Sequence, residues 1–178
     1  FDGNGENYLT VAPGANYKLT PKVVKSCEKL IADSAMILLQ MEIPIESNRE
    51  ILSLAGKYKT PVIFNYAPIR DASIKVDEKI HGLIVNEVEA ASLLKVRKID
   101  LNGAAKAAEA LKLKGPQFVV ITLGSKGSVV ADENGVRKIP AFKVKPVDTT
   151  AAGDTFCGAL ATGIVEGMAL YGAVKFAS

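Results

Sequence analysis

The sequence contains few of the residues that build metal sites and disulfide frameworks. Its 178 residues include one histidine, His81, no tryptophan and two cysteines, Cys27 and Cys157, which lie far apart with no metal-ligand neighbour. This pattern argues against a zinc site. We interpret the cysteines as buried thiols of a reducing compartment, which favours a cytoplasmic protein. No apolar run approaches the length that crosses a bilayer, so no membrane association is expected.

Neither sign of charge dominates the chain. There are 22 basic and 19 acidic residues, giving a formal net charge of +3. The two signs are interspersed, so no basic surface for a nucleic acid is expected. The hydrophobic content of 48% suits one domain with a buried core.

Strand-like and helix-like segments alternate along the chain. Strands are predicted at residues 8–12, 35–39, 61–65, 82–85 and 118–123, and an antiparallel pair at 128–131 and 136–139. Helices are predicted after Thr20 with Pro21 at the first position, after the capping-box spacing Ser47–Glu50, after Asp100, and over 152–166 before Gly167. The first helix has an apolar face formed by Val23, Val24, Cys27, Leu30 and Ile31.

This alternation predicts a Rossmann-like α/β fold, in which a mainly parallel sheet carries helices on both faces. The run 35–39 is continuously apolar, as in a parallel strand that is buried on both sides. Such sheets bind ligands outside the carboxyl ends of their strands. Functional residues are therefore expected where the strands end.

The most informative segment is 148–156, where small residues run directly into an amphipathic helix. Its sequence is Asp148-Thr-Thr-Ala-Ala-Gly-Asp154-Thr-Phe. Small side chains let backbone N–H groups approach an anion at a helix N-terminus, and the helix dipole favours negative charge there. An aspartate at this place could instead simply cap the helix, which would be the favoured interpretation of an isolated Gly-Asp pair.

Three other segments carry polar residues at the ends of predicted strands. Residues 122–127 form a glycine-rich turn that could line a ligand or simply connect two strands. Asn86 and Glu89 could approach a phosphate and a magnesium ion, or cap a helix, or do both. Glu42 could accept hydrogen bonds from hydroxyl groups or be a solvated loop residue.

Six segments in the same order resemble the ribokinase (PfkB-type carbohydrate kinase) family. They are 13–16, 40–42, 65–68, 86–89, 122–127 and the signature-like stretch 147–160. The resemblance covers nearly the whole chain and implies a ribokinase-like fold and phosphoryl transfer from ATP to a sugar hydroxyl. Gln40-Met-Glu42 and Ala151-Ala152 are most similar to members that phosphorylate D-ribose at its 5-hydroxyl. Fructokinase, nucleoside kinase or other sugar kinase activity, a non-catalytic nucleotide- or sugar-binding relative, and a purely structural protein are the alternatives.

The resemblance also implies roles for individual residues. Asp154 matches the general base and, with Glu42, contacts the sugar, while Ala152 and Gly153 match the anion hole. The nucleotide-binding positions are Asn86, Thr122, Leu123, Gly124, Ser125, Lys126, Gly127, Gly153 and Asp154. Asp148 and Thr150 match ligands of an activating potassium ion, and Glu89 matches a position that holds Mg²⁺ through water.

The resemblance further implies that the chain is a partial one, covering residues 1–178 of a single kinase domain. Relatives carry an N-terminal sugar-binding region and a C-terminal end that are not in this sequence. Residues 1–12 match part of a small β lid, through which a homodimer is expected. The segment Asn65-Tyr-Ala-Pro68 has Tyr66 where the family has proline, so the shape of this loop is open.

Overall fold

The computed structural model describes residues 12–69, 74–145 and 147–178. The predicted strand 8–12 and the lid over 1–12 fall on residues 1–11, outside the described part, and Ala12 belongs to no strand. The helices are α1 (Pro21–Ser26), α2 (Glu28–Asp33), α3 (Ile45–Tyr58), α4 (Glu87–Leu94), α5 (Ala104–Lys112), α6 (Ala152–Val165) and α7 (Leu170–Ala177). The strands are β1 (Ile37–Leu39), β2 (Val62–Asn65), β3 (Gly82–Asn86), β4 (Phe118–Thr122), β5 (Ser128–Asp132) and β6 (Gly135–Ile139).

The six strands form one sheet in chain order, β1-β2-β3-β4-β5-β6. Strands β1 to β4 pair in parallel, whereas β5 runs antiparallel to β4 and β6 antiparallel to β5. The mainly parallel α/β sheet predicted from the sequence is therefore confirmed, as is its antiparallel pair. The carboxyl ends of β1, β2, β3 and β4 share one edge of the sheet, since parallel strands end on the same side.

Helices cover both faces of the sheet. Alternate strand residues point to opposite sides: Val62 and Phe64 of β2 belong to one apolar core, and Ile63 belongs to the other. The first core is closed by residues from α1 to α5, and the second by α6 and α7. Burying β2 and β4 on both faces explains their continuous apolar sequences.

Two predictions about the first elements are wrong in part. The single helix after Thr20 is divided at Cys27, whose φ of −100° and ψ of 15° are not helical. The predicted apolar face is not buried as a unit: Val23 is 42% and Leu30 69% exposed, and the Cys27 thiol is exposed. Strand β1 is an edge strand among the described residues, which leaves Leu38 exposed rather than buried.

The helix caps were predicted with mixed success. The Thr20 hydroxyl accepts the Val23 N–H at 3.4 Å, as predicted. The capping box at Ser47–Glu50 is wrong, because α3 already begins at Ile45 and its Ser47 hydroxyl donates to the Leu19 carbonyl. Asp100 caps a turn rather than a helix.

The Asp100 carboxylate accepts the Gly103 N–H at 2.7 Å, one residue before α5 begins.

No helix among residues 12–69, 74–145 and 147–178 is both long and apolar enough to cross a membrane.

Candidate active site

A cleft of about 820 Å³ opens at the carboxyl edge of the parallel strands. It is lined by Leu38, Leu39, Gln40, Glu42, Asn65, Ala67, Pro68, Glu89, Asp154 and Cys157. The lining comes from the ends of β1 and β2 with the loops that follow them, from the first turn of α4 and from the first two turns of α6. The fold thus gathers three carboxylates, those of Glu42, Glu89 and Asp154, around one space.

The start of α6 presents Asp154 to the cleft without using it as a cap. Helix α6 begins at Ala152, its N-cap is Ala151, and no side chain caps it. Asp154 is the third residue of the helix and accepts no hydrogen bond from the described residues. The capping interpretation of Asp154 is therefore wrong, and its carboxylate is available for chemistry.

The backbone before Asp154 is held in an uncommon conformation. Ala151 has a φ of +58°, in the left-handed region that side chains with a Cβ rarely adopt. The Ala152 N–H donates to the Thr149 carbonyl at 3.2 Å and closes a turn. The N–H groups of Gly153 and Asp154 donate to no backbone carbonyl in the described part of the chain. In this conformation the free donors at the helix start are those of Gly153 and Asp154.

Glu89 is buried and hydrogen-bonded on both oxygens. The backbone N–H of Asn86 donates to Oε2 at 2.8 Å, and the Asn86 side-chain amide donates to Oε1 at 3.0 Å. In return the Asn86 Oδ1 accepts the Glu89 N–H at 2.9 Å, which completes a capping box for α4. Burial raises the pKa of the Glu89 carboxyl, while the Asn86 hydrogen bond opposes that rise.

Cys157 lines the cleft together with Asp154 and Glu89. The thiol is one turn after Asp154 on α6, and its residue is only 4% exposed. Burial raises the pKa of Cys157 to about 12, and the negative charges of Asp154 and Glu89 add to the rise. The buried-thiol interpretation is confirmed for Cys157, whose thiol stays protonated, but is wrong for the exposed Cys27.

The residues predicted to hold a potassium ion sit beside the helix start, on the surface. Asp148 Oδ1 accepts the Thr150 N–H at 2.8 Å, and both residues are exposed. Hydrogen bonds from Thr150 lower the pKa of the Asp148 carboxyl. Asp148 is therefore charged at neutral pH, with its orientation set by the segment that leads into α6. No cluster of three or more metal-ligating His, Cys, Asp or Glu side chains occurs in the described ranges.

The glycine-rich turn follows β4 at the same edge of the sheet. Thr122 pairs with Asn86 across the β3–β4 ladder, so the two predicted nucleotide contacts are strand neighbours. Gly124, Ser125 and Lys126 form an exposed 3-10 turn, while Leu123 is buried. Residues 122–127 are not among those that line the cleft.

Glu42 lies at the exposed mouth of the cleft, on the loop after β1. Its N–H donates to the side-chain oxygen of Gln40. The Gln40 carbonyl accepts the side-chain amide of buried Asn48 at 2.9 Å. Through Gln40, the Glu42 backbone is thus linked to Asn48 in the first turn of α3.

Of the predicted site residues, Glu42, Glu89 and Asp154 line the cleft, and the others are not among its lining residues. Sequence reasoning did not assign a site role to Asn65, Ala67, Pro68, Leu38 or Cys157. Asn65 could have been found, because it is the polar residue at the end of the buried strand β2. Ala67 and Pro68 carry no such signal, since only the path of the loop brings them to the cleft.

The chain also resembles known proteins in sequence and in fold. The model of the pfkB family of carbohydrate kinases matches residues 1–178. The ribokinase of Haemophilus influenzae is 37% identical over 173 residues, which are 97% of this chain and 56% of the relative. The ribokinase crystal structure from Thermotoga maritima has a TM-score of 0.82 at 36% identity, covering 99% of this chain and 58% of the other.

A second similar structure is that of Arabidopsis thaliana ribokinase complexed with ribose and ATP. Its TM-score is 0.84 at 27% identity, over 98% of this chain and 57% of that protein. The chain therefore spans a little over half the length of the relatives it matches. The match of the family model along the whole chain, together with the shared fold, shows that this chain belongs to the pfkB family of carbohydrate kinases.

Proposed function

We propose that the protein carrying this chain is an ATP-dependent sugar kinase that phosphorylates the 5-hydroxyl of D-ribose. The observation that carries the proposal concerns the Asp154 carboxylate. It caps no helix and lines a cleft beside the free N–H groups at the start of α6. Phosphoryl transfer depends on positioning and charge stabilisation more than on covalent catalysis. This arrangement offers a base and an anion site within one turn of backbone.

In the proposed reaction, Asp154 takes the proton from the sugar hydroxyl as that oxygen attacks the γ-phosphorus. The bond to ADP breaks, and the N–H groups at the start of α6 stabilise the charge on the transferred group. The sequence assigned this anion hole to Ala152 and Gly153; the free N–H of Gly153 supports the assignment, whereas the Ala152 N–H is already paired. Glu42 at the cleft mouth accepts hydrogen bonds from the sugar hydroxyls.

The nucleotide is proposed to lie along Asn86 and the turn 122–127. The register of β3 with β4 supports this, because it places Asn86 beside Thr122 at the edge where the cleft opens. Ser125 and Lys126 are exposed on that turn and accessible to a ligand. The ATP-bound and ADP-bound ribokinases among the similar structures motivate the choice of nucleotide.

The metal-binding roles of Glu89, Asp148 and Thr150 are also proposals. Glu89 fits a contact to Mg²⁺ through water, because both of its oxygens already accept hydrogen bonds from Asn86 while the residue lines the cleft. Bound Mg²⁺ would neutralise phosphate charge.

Asp148 and the Thr150 carbonyl would supply part of the ligand shell of a K⁺ ion and so hold the backbone that leads into α6. Equal rates in potassium and in a bulky organic-cation buffer would contradict the potassium role.

A homodimer formed through the β lid and a cytoplasmic location complete the proposal. The lid matches residues 1–12, of which 1–11 lie outside the described part. The location is supported by two free cysteines, one of them exposed, which suit a reducing compartment.

The test of the catalytic role is Asp154→Asn in the complete protein. The variant should bind ADP as the wild type does while its turnover falls about 10²–10⁴-fold, the range of a lost general base. Asp33→Asn, an exposed aspartate at the end of α2, is the matched control and should leave both unchanged. Turnover near the wild-type rate in Asp154→Asn would exclude this residue as the base.

The substrate is tested separately with ribose, deoxyribose, fructose and adenosine as phosphoryl acceptors. Ribose should give the highest kcat/KM. A preference for another acceptor would retain the kinase and correct its substrate. Nucleotide binding with no turnover of any acceptor would favour the non-catalytic alternative.

A further inference from the structure

One wall of the cleft is built from two loops that are joined to each other. The loop after β1 contributes Gln40 and Glu42, and the loop after β2 contributes Ala67 and Pro68. The Met41 N–H donates to the Ala67 carbonyl at 2.8 Å and links the loops across the edge of the sheet. A shift in the second loop would therefore be passed to the backbone beside Glu42.

Tyr66 is the buried anchor of the second loop. It stands between two residues of the cleft wall, Asn65 and Ala67, but its own side chain is 0% exposed. Its hydroxyl donates to the carbonyl of Ile74, eight residues further along, at 2.8 Å. Its backbone N–H donates to the carbonyl of Ile84 in β3 at 3.0 Å.

The ring of Tyr66 adds packing to these two bonds. It lies 5.3 Å from the ring of Phe64, at an interplanar angle of 57°, inside the core that α1 to α5 cover. A buried hydroxyl without a partner is costly, so the bond to Ile74 selects one position for the ring. The proline that the resembled family segment has here would carry neither the hydroxyl nor the N–H.

We propose that Tyr66 is a positioning residue for the sugar-binding wall. It touches no substrate and acts by holding Ala67, and through the Met41 N–H the Glu42 loop, in the geometry that receives the sugar. This inference rests on the proposed sugar kinase function and extends it to the residue that sets the shape of the acceptor site. The proposed nucleotide contacts are Asn86 and the turn 122–127, and the Tyr66 hydroxyl bonds to Ile74, outside both segments, so nucleotide affinity should not depend on that hydroxyl.

The experiment is Tyr66→Phe in the complete protein, which keeps the ring and removes the hydroxyl. The KM for ribose, and its Kd measured without nucleotide, should rise roughly three- to tenfold, the change expected when the hydrogen bond to Ile74 is lost. The KM for ATP should stay within about twofold of the wild-type value, because a positioning effect confined to the wall does not reach the nucleotide. Hydrogen exchange at the Met41 amide should become faster.

Tyr171→Phe is the matched control. Its hydroxyl donates to Asp132 at 2.9 Å on the opposite side of the sheet, so the variant also loses one hydrogen bond. It should leave both KM values and the Met41 exchange rate unchanged. Proportional rises in the KM for ribose and for ATP in Tyr66→Phe would overturn the proposal, as would unchanged Met41 exchange.

Failure of the proposed function gives a different result. A wild-type protein that binds ribose without phosphorylating it refutes the kinase proposal alone, and the Kd and exchange measurements then decide the role of Tyr66. A wild-type protein that phosphorylates ribose, with an unaltered ribose KM in Tyr66→Phe, refutes the positioning role alone. A wild-type protein that binds no sugar overturns both.

Discussion

Two glycines of the turn after β4 should respond very differently to the same substitution. Gly127 is buried, with φ of +91° and ψ of −135°, a conformation essentially restricted to glycine. A Cβ at Gly127 would overlap the backbone carbonyl oxygen of Ile139 and lie 2.7 Å from the amide nitrogen of Ala141. Gly124 has a φ of +56°, but a Cβ there would meet no atom within 4 Å.

The expected magnitudes follow from these two environments. Gly124→Ala introduces only left-handed strain, about 1–2 kcal/mol of unfolding free energy. Gly127→Ala combines strain of about 1–3 kcal/mol with an overlap of about 1–3 kcal/mol, giving roughly 2–6 kcal/mol in all. The overlap cannot be relieved by a side-chain rotation, because the atoms it meets are backbone atoms. The free energy of unfolding of a native protein is about 5–15 kcal/mol, so Gly127→Ala should remove a large fraction of it.

Equilibrium urea unfolding of the complete protein, with wild type and both variants, measures this difference. ADP binding measured on the same samples separates structure from function. If the turn lines the nucleotide as proposed, Gly124→Ala should bind ADP more weakly while remaining nearly as stable as wild type. Equal losses of unfolding free energy in the two variants would refute the reasoning, because the close approach to Ile139 would then be absent.

Two further predictions concern titrating groups. The His81 ring packs edge-to-face on Phe118 at 5.6 Å, and burial lowers the pKa of His81. The unfolded chain therefore binds a proton more readily than the folded one. The unfolding free energy should fall as the pH drops below about 6.5. A smaller pH 7 to pH 5 loss in His81→Gln than in wild type would support this, and an identical loss would contradict it. Cys157 should resist iodoacetamide at pH 8 while exposed Cys27 reacts, because only the thiolate is nucleophilic. Mass spectrometry measures the extent of labelling at each cysteine. Equal labelling of both cysteines in the folded protein would show that Cys157 is not buried.

Much of the fold was predictable because its signals are local. Apolar segments predicted β2, β3 and β4, which fits strands that helices cover on both faces. The continuous apolar run 35–39 predicted β1, although Leu38 is exposed there. The cap at Thr20 and the end of α6 before Gly167 were likewise set by neighbouring residues. The resemblance added the candidate residues, and the structure places three of them on one cleft.

The predictions that were wrong involve partners distant in sequence. Ser47 and Glu50 have capping-box spacing, yet the Ser47 hydroxyl donates to Leu19, 28 residues away, inside an existing helix. Cys27 belongs to an apolar pattern but is exposed, because the chain leaves the helix there. Local spacing could not distinguish these outcomes, since the competing hydrogen bonds and exposures exist only after the chain has packed.

By itself the sequence determined the α/β class, the order of most strands and helices, and the candidate residues Glu42, Glu89 and Asp154. Their separate chemistry could be stated, but each retained a second interpretation as a cap or a solvated loop residue. Tertiary structure answered only the question of capping: Asp154, at the third position of α6, caps no helix, whereas the capping box occupies both oxygens of Glu89. It also brought the three carboxylates together: parallel pairing aligns the ends of β1 and β3, which Glu42 and Glu89 follow, and the packing of α6 against the sheet adds Asp154.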